Sequence, residues 1–130
     1  MKLRKDFVTN SSSSSFIIAQ HKDCTYEEVF ATVEKEKDRI RTILDGEIDY
    51  IYPENEEIKN QMCAGNVDSA VEMAVAEIAE HLFDFSGDAS ISIDDWKINA
   101  TEFSNEDGSL FTLAMYELGC YFASEHLMIG

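Results

Sequence analysis

The chain has 130 residues, of which 45% are apolar and 28% charged, with one proline and a formal net charge of −16. A chain of this length buries roughly two-thirds of its unfolded surface, so it supports one self-standing core. The apolar fraction excludes a disordered acidic tail, and no apolar run is long enough to span a bilayer. Cys24, Cys63 and Cys120 are odd in number and scattered, which excludes a disulfide scaffold and points to reduced thiols in a cytoplasmic protein.

The charge is polarised along the chain. Residues 1–22 carry Lys2, Arg4, Lys5 and Lys22 against Asp6, a net of +3, and the remainder carries −19. From Asn60 onward Lys97 is the only basic side chain among thirteen carboxylates. Such a field repels phosphate backbones and anionic lipid headgroups and attracts basic surfaces. The expected partner is therefore a basic protein, with no direct nucleic-acid binding and no membrane contact.

Met1-Lys2-Leu3-Arg4-Lys5 imitates the basic start of a secretory signal, but Asp6, Asn10 and five serines stand where its apolar region belongs. Ser11 to Ser15 predict loop, because serine hydroxyls compete for backbone hydrogen bonds. The apolar pair Phe7 and Val8 before them offers a second anchor on the core. Phe16 to Ala19 predicts a short strand. The expected division is a basic serine-rich leader over residues 1–15 and a single acidic α+β domain over residues 16–130.

Met1 to Ile17, with Phe7-Val8-Thr9-Asn10 leading into five serines and Phe16, resembles the opening of small uncharacterised proteins of Firmicutes and their phages. The resemblance covers about the first nineteen residues and carries no activity. It implies a bacterial or phage gene.

Thr25 to Leu44 predicts a helix. Thr25 with Glu28 makes a capping box, and Tyr26, Val29, Phe30, Val33, Ile40, Ile43 and Leu44 recur at spacings of three and four. Its charged middle, Glu34 to Arg39, should face water, with Glu34 pairing Lys37 and Glu36 pairing Arg39. Gly46 is the expected stop. Residues 47–66 read as an irregular or briefly helical connection broken at Pro53. Asn66 then predicts the N-cap of a second helix over Val67 to Phe83, with Val67, Ala70, Val71, Ala74, Val75, Ile78, Leu82 and Phe83 as its apolar face. Asp68, Glu72, Glu77, Glu80 and Asp84 lie mostly opposite, without an intervening Lys or Arg.

After Gly87 the period becomes two. Ala89, Ile91 and Ile93 alternate with polar residues, and Trp96, Ile98 and Ala100 resume one residue out of phase, which predicts a bulge or a tight turn at Asp94-Asp95. Ser104 to Gly108 predicts a hairpin loop. Leu110 to Leu118, apolar on both faces, predicts a central strand. Gly119 should end it, with a last strand within Tyr121 to Ile129. The fold class expected is α+β, a small mostly antiparallel sheet of three to five strands packed by two amphipathic helices.

No reaction chemistry stands out. Of the possible metal donors only His21 and Cys24 are close in sequence, His81 and His126 being distant, so no zinc site is expected. Asp94-Asp95 and Asn105-Glu106-Asp107-Gly108 lack the EF-hand spacing. There is no GxSxG, Walker loop, GxGxxG or HExxH, and no cofactor is expected. The acidic surface itself is the candidate function: Asp68, Glu72, Glu77, Glu80, Asp84, Asp94, Asp95, Glu106 and Asp107 at phosphate-like spacings would occupy the basic groove of a nucleic-acid-binding protein, as a DNA mimic made by a phage or mobile element. The alternative is a small ligand-binding domain or enzyme whose site is assembled from distant residues.

Overall fold

The apolar run Phe16 to Ala19 does lie in the first strand, but the strand begins earlier than composition suggests. In a computed structural model, which describes residues 13–47, 56–83, 85–104 and 110–130, β1 runs over Ser13–His21. Three residues of the serine run are thus extended rather than loop. Ser13 to Ser15 pair with Ser104, Phe103 and Glu102, so their backbone groups are satisfied in the sheet, and serine's preference for local bonds yields to that ladder. The leader up to residue 12, including Phe7 and Val8, lies outside the described residues.

The helix expected over Thr25 to Leu44 is two helices, α1 (Tyr26–Glu34) and α2 (Lys37–Glu47). Thr25 caps the first, its hydroxyl accepting from Glu28 N at 3.2 Å. The break falls in the charged middle. Lys35 N–H donates back to Ala31 O and Glu36 N–H to Val33 O, and Glu36 O accepts from Arg39 and Ile40 to start the next helix. Breaking there lets Val29 and Val33 on one helix and Ile40 and Leu44 on the other all reach full burial. Glu36 and Arg39 form the expected ion pair at 3.0 Å. Gly46 lies inside α2 rather than ending it.

Within the expected connection, Glu56–Cys63 is helix α3, whereas residues 48–55, with Pro53, are not described. Gly65 sits at φ +84° and donates to Met62 O, while Asn66 N donates to Gln61 O. That pair of bonds is a glycine C-terminal cap that L side chains disfavour, and it turns the chain into α4 (Val67–Phe83). The predicted bounds of this helix hold. It is the centre of the helical layer, packing against α1, α2 and α3 and against α5 (Leu110–Leu118), with Ala70, Val71, Ala74, Val75, Ile78, Ala79 and Leu82 buried.

Leu110 to Leu118 is therefore a helix, not the expected central strand. Of its nine residues only Glu117 is exposed, so the two-sided apolarity is real. What it reflects is burial inside the helical layer, against α4 and α2 and under Phe16, whose ring meets Tyr116 edge-on at 5.8 Å. A short apolar run cannot distinguish these two kinds of burial. A single 3₁₀ turn over Gly119–Tyr121 follows. The loop expected at Ser104 to Gly108 does not join two strands, and residues 105–109 are not described.

β2 (Ala89–Ile93) and β3 (Trp96–Ser104) form a hairpin with a two-residue turn at Asp94-Asp95, so the phase shift marks a turn and not a bulge. Asp94 takes φ 53°, a left-handed conformation that Asp tolerates better than most residues. β4 (Leu127–Ile129) closes an antiparallel sheet of order β2-β3-β1-β4. The result is the expected α+β class, with five helices rather than two and four strands among the described residues. Among the described residues no helix is long and apolar enough to cross a membrane.

Candidate functional site

The register of the four strands sorts every side chain to one face or the other. Phe16, Ile18, Asn99 and Leu127 point to the helices and are buried. Asn99 is satisfied there, its Oδ1 accepting from Gly87 N at 3.2 Å and its Nδ2 donating to Phe85 O at 3.5 Å.

The opposite face is apolar as well. Across the strands its rows read Ala89, Ala100, Ile17; then Ile91, Ile98, Ala19, Met128; then Ile93, Trp96, His21. Ile17, Ile91, Ile93 and Met128 are 51%, 56%, 51% and 53% exposed, and no described element lies over them. The alternation in Ala89 to Ile93 predicts an apolar side toward a core. The structure turns that side outward and leaves all five residues of β2 exposed.

His126 stands one residue before β4 and extends the last row. His21 N donates to His126 O at 2.9 Å, and the two rings lie 5.1 Å apart, with Trp96 edge-on to His21 at 5.1 Å. His126 is held by Glu28 of α1. The Glu28 carboxylate accepts from Ser124 Oγ at 2.5 Å, His126 N at 3.0 Å and His126 Nδ1 at 2.7 Å. The expected capping box is thus half formed, because Glu28 spends its oxygens on the turn before β4. Those bonds, the Ser124 hydroxyl first, hold the Glu28 carboxyl below the usual carboxylate range, and the Glu28 bond holds the His126 imidazole above its ordinary value. Asp23 N donates to His21 Nδ1 at 3.0 Å. His21, Asp23 and His126 offer donor atoms that all lie within 4.8 Å of one another.

Beneath the same end of the sheet is an open cleft of about 530 Å³, where Phe83, Phe85 and Trp96 meet the polar ends of Gln20, Lys22, Asp95 and Lys97. Lys22 Nζ lies 3.6 Å from Asp95 Oδ1. Cys24 also lines the cleft, and burial, reinforced by the Glu28 charge, pushes its thiol up to about 11, which makes it a poor nucleophile at neutral pH.

The carboxylates singled out from sequence do not form one surface. Asp68, Glu72, Glu77 and Glu80 lie along α4 in the helical layer, with Glu77 3.9 Å from His81. Asp94 and Asp95 sit at the tip of the β2–β3 hairpin, on the rim of the apolar sheet face. Asp84, Glu106 and Asp107 lie outside the described residues. Sequence reasoning misses Asp23, Glu28 and His126 as a group, since His126 comes from the other end of the chain. The available signal is strand parity, which puts His21 on the same face as Ile17 once β1 is recognised. Comparison with protein-family models, with curated proteins and with solved structures finds no match.

Proposed function

We propose that this protein is a non-enzymatic interaction module that binds a basic protein partner through the outer face of its sheet, and that it acts as an inhibitor encoded by a phage or mobile element. The observation that carries the reading is the open row structure of Ile17, Ile91, Ile93 and Met128, four large apolar side chains at least half exposed on one face. Contiguous apolar surface with a polar rim is characteristic of contact surfaces in soluble proteins. Asp94 and Asp95 at the hairpin tip, with Glu102 in β3 and Asp88, which accepts from Glu102 N, supply an acidic rim. Charge selects the occupant. A second copy would set −16 against −16, whereas a basic partner gains from the same field. The mimicry idea is thereby narrowed, with the rim carboxylates standing where phosphates would and the α4 carboxylates left to solubility.

The test is capture from a bacterial lysate by the wild-type chain, by Ile17→Ser/Ile91→Ser, and by Asp68→Asn/Glu72→Gln/Glu77→Gln/Glu80→Gln, each with and without competing duplex DNA. The expected result is a basic nucleic-acid-binding protein that DNA displaces, that the sheet-face variant loses and that the helix variant keeps. Equal capture by both variants, or a stable dimer of the wild-type chain in light scattering, overturns the reading. The open cleft lined by Phe83, Phe85 and Trp96 favours a second reading, a small ligand-binding domain. Trp96 is the sole tryptophan, so its fluorescence under a small-molecule screen reads that alternative directly.

A further inference from the structure

The last row of the outer sheet face differs from the others in carrying two imidazoles. Backbone pairing fixes them: His21 closes β1, His126 precedes β4, and the bond from His21 N to His126 O sets the residues opposite each other. Asp23 follows β1 by two residues and brings a carboxylate to the same place. We propose that His21, Asp23 and His126 bind a divalent transition cation of the zinc(II) class.

The donor set decides the class of ion. Two nitrogens and one oxygen suit zinc, copper, nickel or cobalt, whereas magnesium and calcium take oxygen ligands. Orientation of the ring supports the same assignment. Glu28 accepts from His126 Nδ1 at 2.7 Å, which leaves Nε2 as the ring nitrogen available to a metal, and a carboxylate behind an imidazole is the usual support of a metal-bound histidine. The carboxylate is itself anchored by Ser124 and by the His126 backbone.

The fit requires a small closure. Bonds of about 2.0–2.1 Å put tetrahedral donors roughly 3.3 Å apart. The donor atoms lie within 4.8 Å of one another, and of the three side chains Asp23, 66% exposed and 3.7 Å from His21 Nδ1, is the most open to solvent. Binding through His21 Nδ1 would replace the hydrogen bond that Asp23 N donates there, and binding through Nε2 would keep it. Water completes the coordination, and the −19 carried by residues 23–130 raises the local cation concentration.

Titration of the full chain with zinc(II) against a chromophoric chelator tests the site, with far-UV circular dichroism confirming that each variant is folded. One tight equivalent per chain is expected, together with a change in the fluorescence of Trp96, which touches His21. His21→Gln and His126→Gln should each weaken the tight equivalent at least tenfold, Asp23→Asn less, and His81→Gln on α4 not at all. Should His126→Gln unfold, His21→Gln, which carries no bond to Glu28, decides alone. Copper(II) in place of zinc should show two nitrogen ligands by electron paramagnetic resonance, and one in His21→Gln. Unchanged zinc affinity and stoichiometry in His21→Gln, or copper spectra without nitrogen coupling, would mean that the acidic surface merely collects cations, and the assignment falls.

Discussion

Neighbouring residues of β1 occupy opposite environments: Phe16 and Ile18 are each 1% exposed, and Ile17 between them is 51% exposed. The two faces of the sheet are similar in residue type and different in cover. The buried side chains of one face share a single core with the helices, Phe16 meeting Tyr116 of α5, and the other face lies under nothing described. The comparison teaches that an apolar run specifies a strand without specifying which side has a partner, so an open apolar face has to be found in three dimensions.

Substitution within β1 breaks this comparison most directly. Ile18→Ala should destabilise the fold by about 3 kcal/mol, the range for emptying a buried branched site, while Ile17→Ala should cost less than about 1 kcal/mol, both read from urea denaturation. Equal costs would mean that something covers the outer face in the free protein.

Gly87 tests the joint between the helical layer and the sheet. A Cβ there would stand 2.6 Å from Ala100 O and 3.2 Å from Asn99 Cβ, so backbone must move. Gly87→Ala should cost about 1–3 kcal/mol by thermal or chemical denaturation and loosen the bond from Gly87 N to Asn99. Retained stability would show that β3 slides without cost.

Glu28 tests the histidine end of the sheet. Glu28→Ala removes three accepted bonds and should cost about 1–2 kcal/mol. Glu27→Ala, in the same first turn of α1 but with an exposed side chain, controls for the helix N-terminus and should cost only a few tenths of a kcal/mol, as a rough figure for one charge there. Identical losses would assign Glu28 to the helix alone.

Thiol labelling reports the smallest effect, on rate rather than stability. Cys63 and Cys120 are exposed and should react promptly at neutral pH, whereas Cys24, 7% exposed, should react only as the chain opens. Three equally fast thiols would show that the cleft end of the core is not closed.

Much of the architecture is legible in local pattern. Seventeen residues of uninterrupted period fix α4 from Val67 to Phe83, and the phase shift at Asp94-Asp95 marks the hairpin. Leu110 to Leu118 is not legible, because a short run that is apolar on both faces apart from Thr112 and Glu117 fits a buried strand or a buried helix equally well. The break near Lys35 is half legible. A charged interruption is visible in the sequence, and whether the chain continues or turns there depends on α4 and α5 waiting beneath. The candidate site is the least legible, since His21, Asp23, Glu28 and His126 are ordinary residues until β1 and β4 pair.

By itself the sequence determined the class of the fold, the amphipathic helices and the polarity of charge from a basic start to an acidic body, because these follow from composition and from spacings of two, three and four residues. Only the tertiary structure decided which apolar side of the sheet is covered, that the acidic residues divide between α4 and the hairpin tip, and that two distant histidines stand side by side. Register and packing are relations between segments far apart in the chain, and local periodicity holds no information about them.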